Sequence, residues 1–120
     1  MGLSVLVVDD EEMIRVSLAL LLTVKGYNVV TAPDTATALD MLQVSRPDVV
    51  ISDMIMPGGQ GLDAIRAIRR LNPDVKIVAM SGGGRLGNSN ILSVASGFGA
   101  DACLEKPFEP DDLLQLLCQY

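Results

Sequence analysis

A chain of 120 residues, about half of them hydrophobic, is long enough to bury one sizeable core and matches the commonest size of a single domain. Its 9 basic and 15 acidic side chains leave a net charge of −6 with no histidine, and no segment gathers Lys and Arg, which argues against direct nucleic-acid binding. No apolar stretch approaches the length of a membrane span, and neither a signal peptide nor a complete myristoylation motif opens the sequence, so a cytoplasmic protein is expected.

Leu3 to Val8 is a short apolar run of β character. The segment after it spaces Ile14, Leu18, Leu21 and Leu22 as one face of a helix, which Gly26 should end. Tyr27 to Thr31 reads as a second strand. Asp34 or Thr35 then caps a helix carrying Leu39 and Leu42, which stops before Arg46-Pro47 because a residue preceding proline is pushed out of helical conformation. Val49 to Ser52 is a third strand. Beyond Pro57-Gly58-Gly59, the residues Leu62, Ile65, Ile68 and Leu71 mark a helix ending at Asn72-Pro73, and Lys76 to Met80 is a fourth strand. A glycine-rich loop follows, then Ile91, Val94, Ala95 and Phe98 at helical spacing. A fifth strand, Ala102 to Glu105, precedes a last helix that turns Leu113, Leu116 and Leu117 inward. Cys103 and Cys118 read as small buried hydrophobes rather than a bridge or metal pair.

Strands alternating with helices in this way imply parallel crossover units. The expected fold is α/β, a five-stranded parallel sheet with helices on both faces, forming one domain over residues 1–120. In such sheets ligands bind outside the carboxyl ends of the strands. Strand one ends in Asp9-Asp10, strand three in Asp53, strand four in Ser81, and strand five runs through Glu105 into Lys106. Carboxylates gathered there would repel by roughly 4 kcal/mol per pair at 4 Å, so a divalent cation is called for, and oxygen-only ligands favour Mg²⁺. With the Lys106 ammonium beside it, a carboxylate in that setting can act as a nucleophile toward phosphorus.

Each residue also has an ordinary structural explanation. Asp10 could cap the first helix, Asp53 could form a turn before Met54, and Ser81 could be a loop serine before three glycines. What those explanations lack is a common cause for the coincidence of all of them at the ends of strands one, three, four and five.

The residues resemble the response-regulator receiver family along the whole chain, from Val7-Val8-Asp9-Asp10-Glu11 through Asp53-Met54-Ile55-Met56-Pro57 to Lys106-Pro107-Phe108. That resemblance implies the flavodoxin-like strand order 2-1-3-4-5. It further implies that Asp53 accepts a phosphoryl group, that Asp9, Asp10, Asp53 and the backbone carbonyl of Ile55 hold Mg²⁺, that Ser81 is the switch hydroxyl, and that Lys106 contacts the phosphoryl group. The implied partners are a sensor histidine kinase or histidine phosphotransfer protein and a downstream effector or output domain. Such a protein catalyses its own phosphoryl transfer and dephosphorylation rather than turning over a substrate.

Two positions depart from the family pattern: Cys103 stands where an aromatic residue is usual, and Gln60 where Asp often precedes the glycine. Without the ring, the signal is expected to leave through ordering of residues 81–89 and a shift of the following helix. Two rival readings compete with the phosphoacceptor. One is a receiver-like docking module that is never phosphorylated. The other is a dinucleotide-binding protein, suggested by the G-x-G-x-x-G run from Gly82 to Gly87, although too little chain remains after it to build that fold. A haloacid-type phosphatase is disfavoured because Asp9-Asp10-Glu11-Glu12-Met13 lacks the required pattern. Whether the sequence is a stand-alone regulator or a piece of a longer protein stays open.

Overall fold

Strand β1 (Ser4–Val8) buries its four last residues completely or nearly so, and strand β3 (Val49–Asp53) is buried throughout. Successive strand residues point to opposite faces, so such runs need cover on both sides of the sheet. In the computed structural model, residues 3–53, 61–82, 97, 99–106 and 109–120 are described, with backbone alone at 61, 62, 81, 82, 105 and 106. Three further strands, β2 (Asn28–Ala32), β4 (Lys76–Gly82) and β5 (Ala102–Lys106), complete one parallel sheet in the order β2-β1-β3-β4-β5. This is the order implied by the receiver resemblance, and it differs from the 3-2-1-4-5-6 order of dinucleotide-binding domains.

The helices follow from the handedness of parallel crossovers. Helix α1 (Glu12–Val24) leads from β1 outward to β2, whereas α2 (Thr35–Val44) and α3 (Gly61–Leu71) carry the chain in the opposite direction along the sheet. They therefore lie on opposite faces. Leu18 and Leu22 of α1 pack with Val5, Val7, Val49, Ile51, Val78 and Met80, and the C-terminal helix α4 (Pro110–Leu117) adds Leu113 and Leu117 to that layer. On the other face Ala38 and Leu42 of α2 and Ile65 and Ile68 of α3 cover Leu6, Val8, Val50, Ile77 and Ala79. Burying one Val, Leu or Ile side chain contributes about 1.5–3 kcal/mol, so these two layers dominate the energetics of the fold.

Helix boundaries have local causes. Gly26, at φ 97°, ends α1: its N–H donates to the Thr23 carbonyl while the Tyr27 N–H donates to Leu22, the paired bonds that a left-handed glycine makes possible. Asp34 caps α2, its carboxylate accepting from the Thr37 N–H at 2.7 Å, and that bond holds its carboxyl below the usual range. Two expectations need correction. Leu71 is exposed, because it closes the last turn of α3 where Asn72 turns inward instead. Cys118 is exposed as well: it is the residue after Leu117, rotated about 100° from the buried face of α4. The fourth helix expected around Ile91, Val94, Ala95 and Phe98 lies outside the described residues, as does the loop over 83–90.

Arg69 ties the far end of the sheet together. From the last turns of α3 its guanidinium donates to the carbonyls of Pro73 (2.8 Å), Val75 and Gly99 (2.7 Å) and to the Asp101 carboxylate (2.7 Å). Asp101 in turn accepts the Ile77 N–H at 2.8 Å and donates its own N–H to the Ile77 carbonyl. One planar cation thus links α3, the start of β4 and the entry to β5. A charged hydrogen bond contributes about 1.5–3 kcal/mol, and since these groups are partly open to water the four do not add in full. Replacing Arg69 with Ala is expected to lower stability by about 2–3 kcal/mol, and Lys, which lacks the planar fork, should recover less than half. Urea unfolding monitored by circular dichroism measures both; an Arg69→Ala midpoint equal to wild type contradicts the clamp.

Candidate functional site

The strand order leaves a crevice where neighbouring connections depart in opposite directions, between β1 and β3. The last rung of that pair is Val8 with Ser52, so Asp9 and Asp53 follow it side by side on the two chains. Asp53 also pairs with Met80 of β4. The site is therefore a consequence of register, because a slip of one residue on β3 would turn Asp53 to the other face of the sheet.

One carboxylate oxygen from each of Asp9, Asp10 and Asp53 lies within 4.8 Å of the other two. Asp9 is fully buried, Asp53 is 3% exposed, and Asp10 faces solvent. The Asp9 carboxylate accepts the Glu11 N–H at 2.9 Å, and its backbone N–H donates to Ala32 at the end of β2. The Asp9 carbonyl accepts from the Arg15 guanidinium at 2.8 Å. The helix-cap explanation of Asp10 does not hold: the N-cap of α1 is Glu11, without a side-chain cap, and Asp10 makes no hydrogen bond to the first turn. Its carboxylate is turned to the other two acids instead.

Three carboxylates at this spacing repel by roughly 3–4 kcal/mol per pair in a protein-surface dielectric. The donor set fits Mg²⁺, a hard cation that takes oxygen ligands, commonly through one or two carboxylates with retained waters. Adjacent ligands around Mg²⁺ stand about 2.9 Å apart, as follows from octahedral bonds of 2.0–2.1 Å, so at 4.8 Å there is room for a carboxylate acting through water.

Of the other expected site residues, Ser81 and Lys106 are described by backbone. Ser81 is one residue beyond the Asp53 partner Met80 and pairs with Glu105, while Lys106 pairs with Gly82. Both backbones thus lie at the strand ends beside the acid cluster. Ile55, Gln60, Pro107 and the G-x-G-x-x-G run beyond Gly82 lie outside the described residues. Reading residue types missed Arg15, because an arginine in the second turn of an amphipathic helix ordinarily belongs to a solvated face. Its spacing from Asp9, six positions and so one turn into α1, was the only available signal.

Cys103 lies on β5 and packs, partly buried, against the layer beneath α2 and α3. Burial pushes its thiol above the ordinary range. The thiolate is the reactive form, so a raised thiol holds less of it at neutral pH. Iodoacetamide at pH 7 should therefore modify Cys118 well before Cys103, with Cys103 catching up as the pH rises; peptide mass spectrometry over time reads the order, and faster labelling of Cys103 contradicts it.

Comparison with known proteins is consistent with this geometry. Residues 5–118 match the sequence profile described as the response regulator receiver domain. The response regulator MprA of Mycobacterium bovis (strain BCG / Pasteur 1173P2) is 35% identical over 116 residues, covering 95% of this chain and 48% of that protein. The chain thus spans about half the length of the curated relatives it matches. Among solved structures, a response regulator receiver domain protein from Clostridium thermocellum superposes with a TM-score of 0.88 at 30% identity, over 99% of this chain and 93% of that one. The chemotaxis protein CheY4 of Vibrio cholerae gives a TM-score of 0.87 at 32% identity, over 99% and 98%.

Proposed function

The chain belongs to the response regulator receiver domain family of two-component signalling, and we propose that within it Asp53 is the phosphoacceptor of a Mg²⁺-dependent switch. The observation that carries this reading is the pair of buried carboxylates, Asp9 and Asp53, gathered with exposed Asp10 at the β1–β3 crevice. A docking module that is never phosphorylated leaves the burial of two like charges without a purpose.

In this reading an Asp53 carboxylate oxygen attacks the phosphorus of the donor. The bond from phosphorus to the donor's leaving atom breaks, its electron pair stays with the donor, and an acyl phosphate remains on Asp53. Asp9, Asp10, Asp53 and the Ile55 carbonyl would hold Mg²⁺, which when bound would supply positive charge to the transferring phosphoryl group. We assign Lys106 to the remaining phosphoryl charge and Ser81 to the hydroxyl drawn toward the product; the β4–β5 register, with Ser81 opposite Glu105 and Gly82 opposite Lys106, supports both assignments. The single receiver unit extends over residues 1–120. Acetyl phosphate with Mg²⁺ should give an acid-labile label on Asp53 that hydroxylamine also removes, absent from Asp53→Asn and abolished by chelation, with Asp10→Ala needing more Mg²⁺ for the same rate. Labelling of Asp53→Asn at the wild-type rate eliminates the assignment.

Receiver domains imply a kinase partner and an output; here the finer assignment is a histidine kinase or histidine phosphotransfer protein as donor. Met13, Val16, Leu20 and Val24 form a stripe on α1 at i, i+3, i+7 and i+11, and all four are exposed, Val24 by 79% and Leu20 by 64%. The stripe begins three residues from Asp10, so a macromolecule handing a phosphoryl group to Asp53 would meet it. We assign it to the donor's docking helix. Leu20→Asp should slow transfer from a phosphorylated histidine phosphotransfer protein at least tenfold, on the order of 1.4 kcal/mol of lost contact, while leaving acetyl phosphate labelling unchanged. Equal slowing with both donors rules the stripe out.

A further inference from the structure

The peptide joining Asp9 to Asp10 carries the geometry of the acid site, since rotating it swings the Asp10 Cα–Cβ bond relative to the two buried acids. At its carbonyl end the Arg15 guanidinium, half-buried on α1, donates to the Asp9 carbonyl at 2.8 Å. Arg15 is itself anchored, its N–H donating to the Glu11 carbonyl at 3.1 Å as part of the helix. Asp9 is meanwhile fixed from its other sides, by Ala32 through its N–H and by the Glu11 N–H through its carboxylate. Asp10 has no such support, being exposed and without a bond to the first turn of α1. What orients it is the plane of the peptide before it.

We infer that Arg15 is a positioning residue for Mg²⁺, acting through the Asp9 carbonyl to hold the Asp10 carboxylate over Asp9 and Asp53. The inference rests on reading the acid cluster as a Mg²⁺ site. It also has an electrostatic opponent. A cation beside a cation site repels the incoming metal, so through charge alone Arg15 weakens Mg²⁺ binding, whereas through orientation it strengthens it. The two effects have opposite signs, and removal of the side chain tells which dominates. Contacts that orient metal ligands are commonly worth tenfold to a hundredfold in affinity; with one peptide plane between Arg15 and the ligand, about tenfold is expected.

Mg²⁺ titrated calorimetrically into wild type, Arg15→Met, Arg15→Gln and Arg15→Lys provides the test. Met keeps the aliphatic packing without a donor, Gln keeps a donor without charge, and Lys keeps both. Arg15→Met should bind about tenfold more weakly than wild type, with Gln and Lys each restoring most of the loss. In acetyl phosphate labelling, the half-saturating Mg²⁺ concentration should rise by the same factor in Arg15→Met, while the rate at saturating Mg²⁺ returns to that of wild type. A merely structural role would instead lower the rate at every Mg²⁺ concentration. Wild-type or tighter binding by Arg15→Met overturns the inference, as does failure of Gln to restore binding, since a neutral donor keeps the hydrogen bond and removes the repulsive charge. Absence of Mg²⁺ binding by wild type overturns the reading of the acid cluster itself, and so separates the two failures. Should Arg15→Met not fold, the comparison of Gln with Lys still decides.

Discussion

Two carboxylates held out of water beside each other are the constraint around which the molecule is arranged. Asp9 and Asp53 follow the last rung of the β1–β3 pair, and neither has the solvent that would ordinarily screen it. Their proximity depends on register, the register on the apolar layers that cover both faces, and the layers on helices that depart in opposite directions from the centre of the sheet. The hydrophobic energy of two complete layers is what makes a concentration of negative charge at one rim tolerable. A cation at that rim would be the complement of the fold's own electrostatic cost.

Where periodicity and punctuation governed, the elements were readable to within a residue or two. The strands start at Ser4, Asn28, Val49, Lys76 and Ala102, and the turns at Gly26 and Asp34 behave as those residue types require. The order of the strands was not readable in that way. Alternating elements are compatible with several sheet orders, and 2-1-3-4-5 came from resemblance to a family rather than from any spacing. Convergence of Asp9, Asp10 and Asp53 was legible because strand ends in a parallel sheet share one rim, but the detachment of Asp10 from the helix cap was not, since an Asp before a helix satisfies either role equally well.

The arginines were harder to read than the acids for a different reason. Arg15 and Arg69 each contribute mainly by donating to backbone carbonyls, those of Asp9 for one and of Pro73, Val75 and Gly99 for the other. A carbonyl has no identity in the sequence. A side chain whose partners are main-chain oxygens therefore leaves no complementary residue to be noticed, and on a helix it is indistinguishable from a solvated charge. The same blindness explains Cys118, where only the azimuth on α4 separates a buried neighbour from an exposed one.

The Arg69–Asp101 contact also bears on how the chain comes together. It joins residues 32 positions apart, and closing a flexible loop of that length costs roughly 3 kcal/mol in chain entropy beyond the fixed term of the closure. Such a cost is met only after α3 and β4 have already brought the two ends into reach. The edge strand β5 therefore depends on a long-range contact for its place in the sheet. The strand that carries Lys106 is thus separated from acid-bearing β3 by β4, at an edge whose closure cost falls on the Arg69–Asp101 contact.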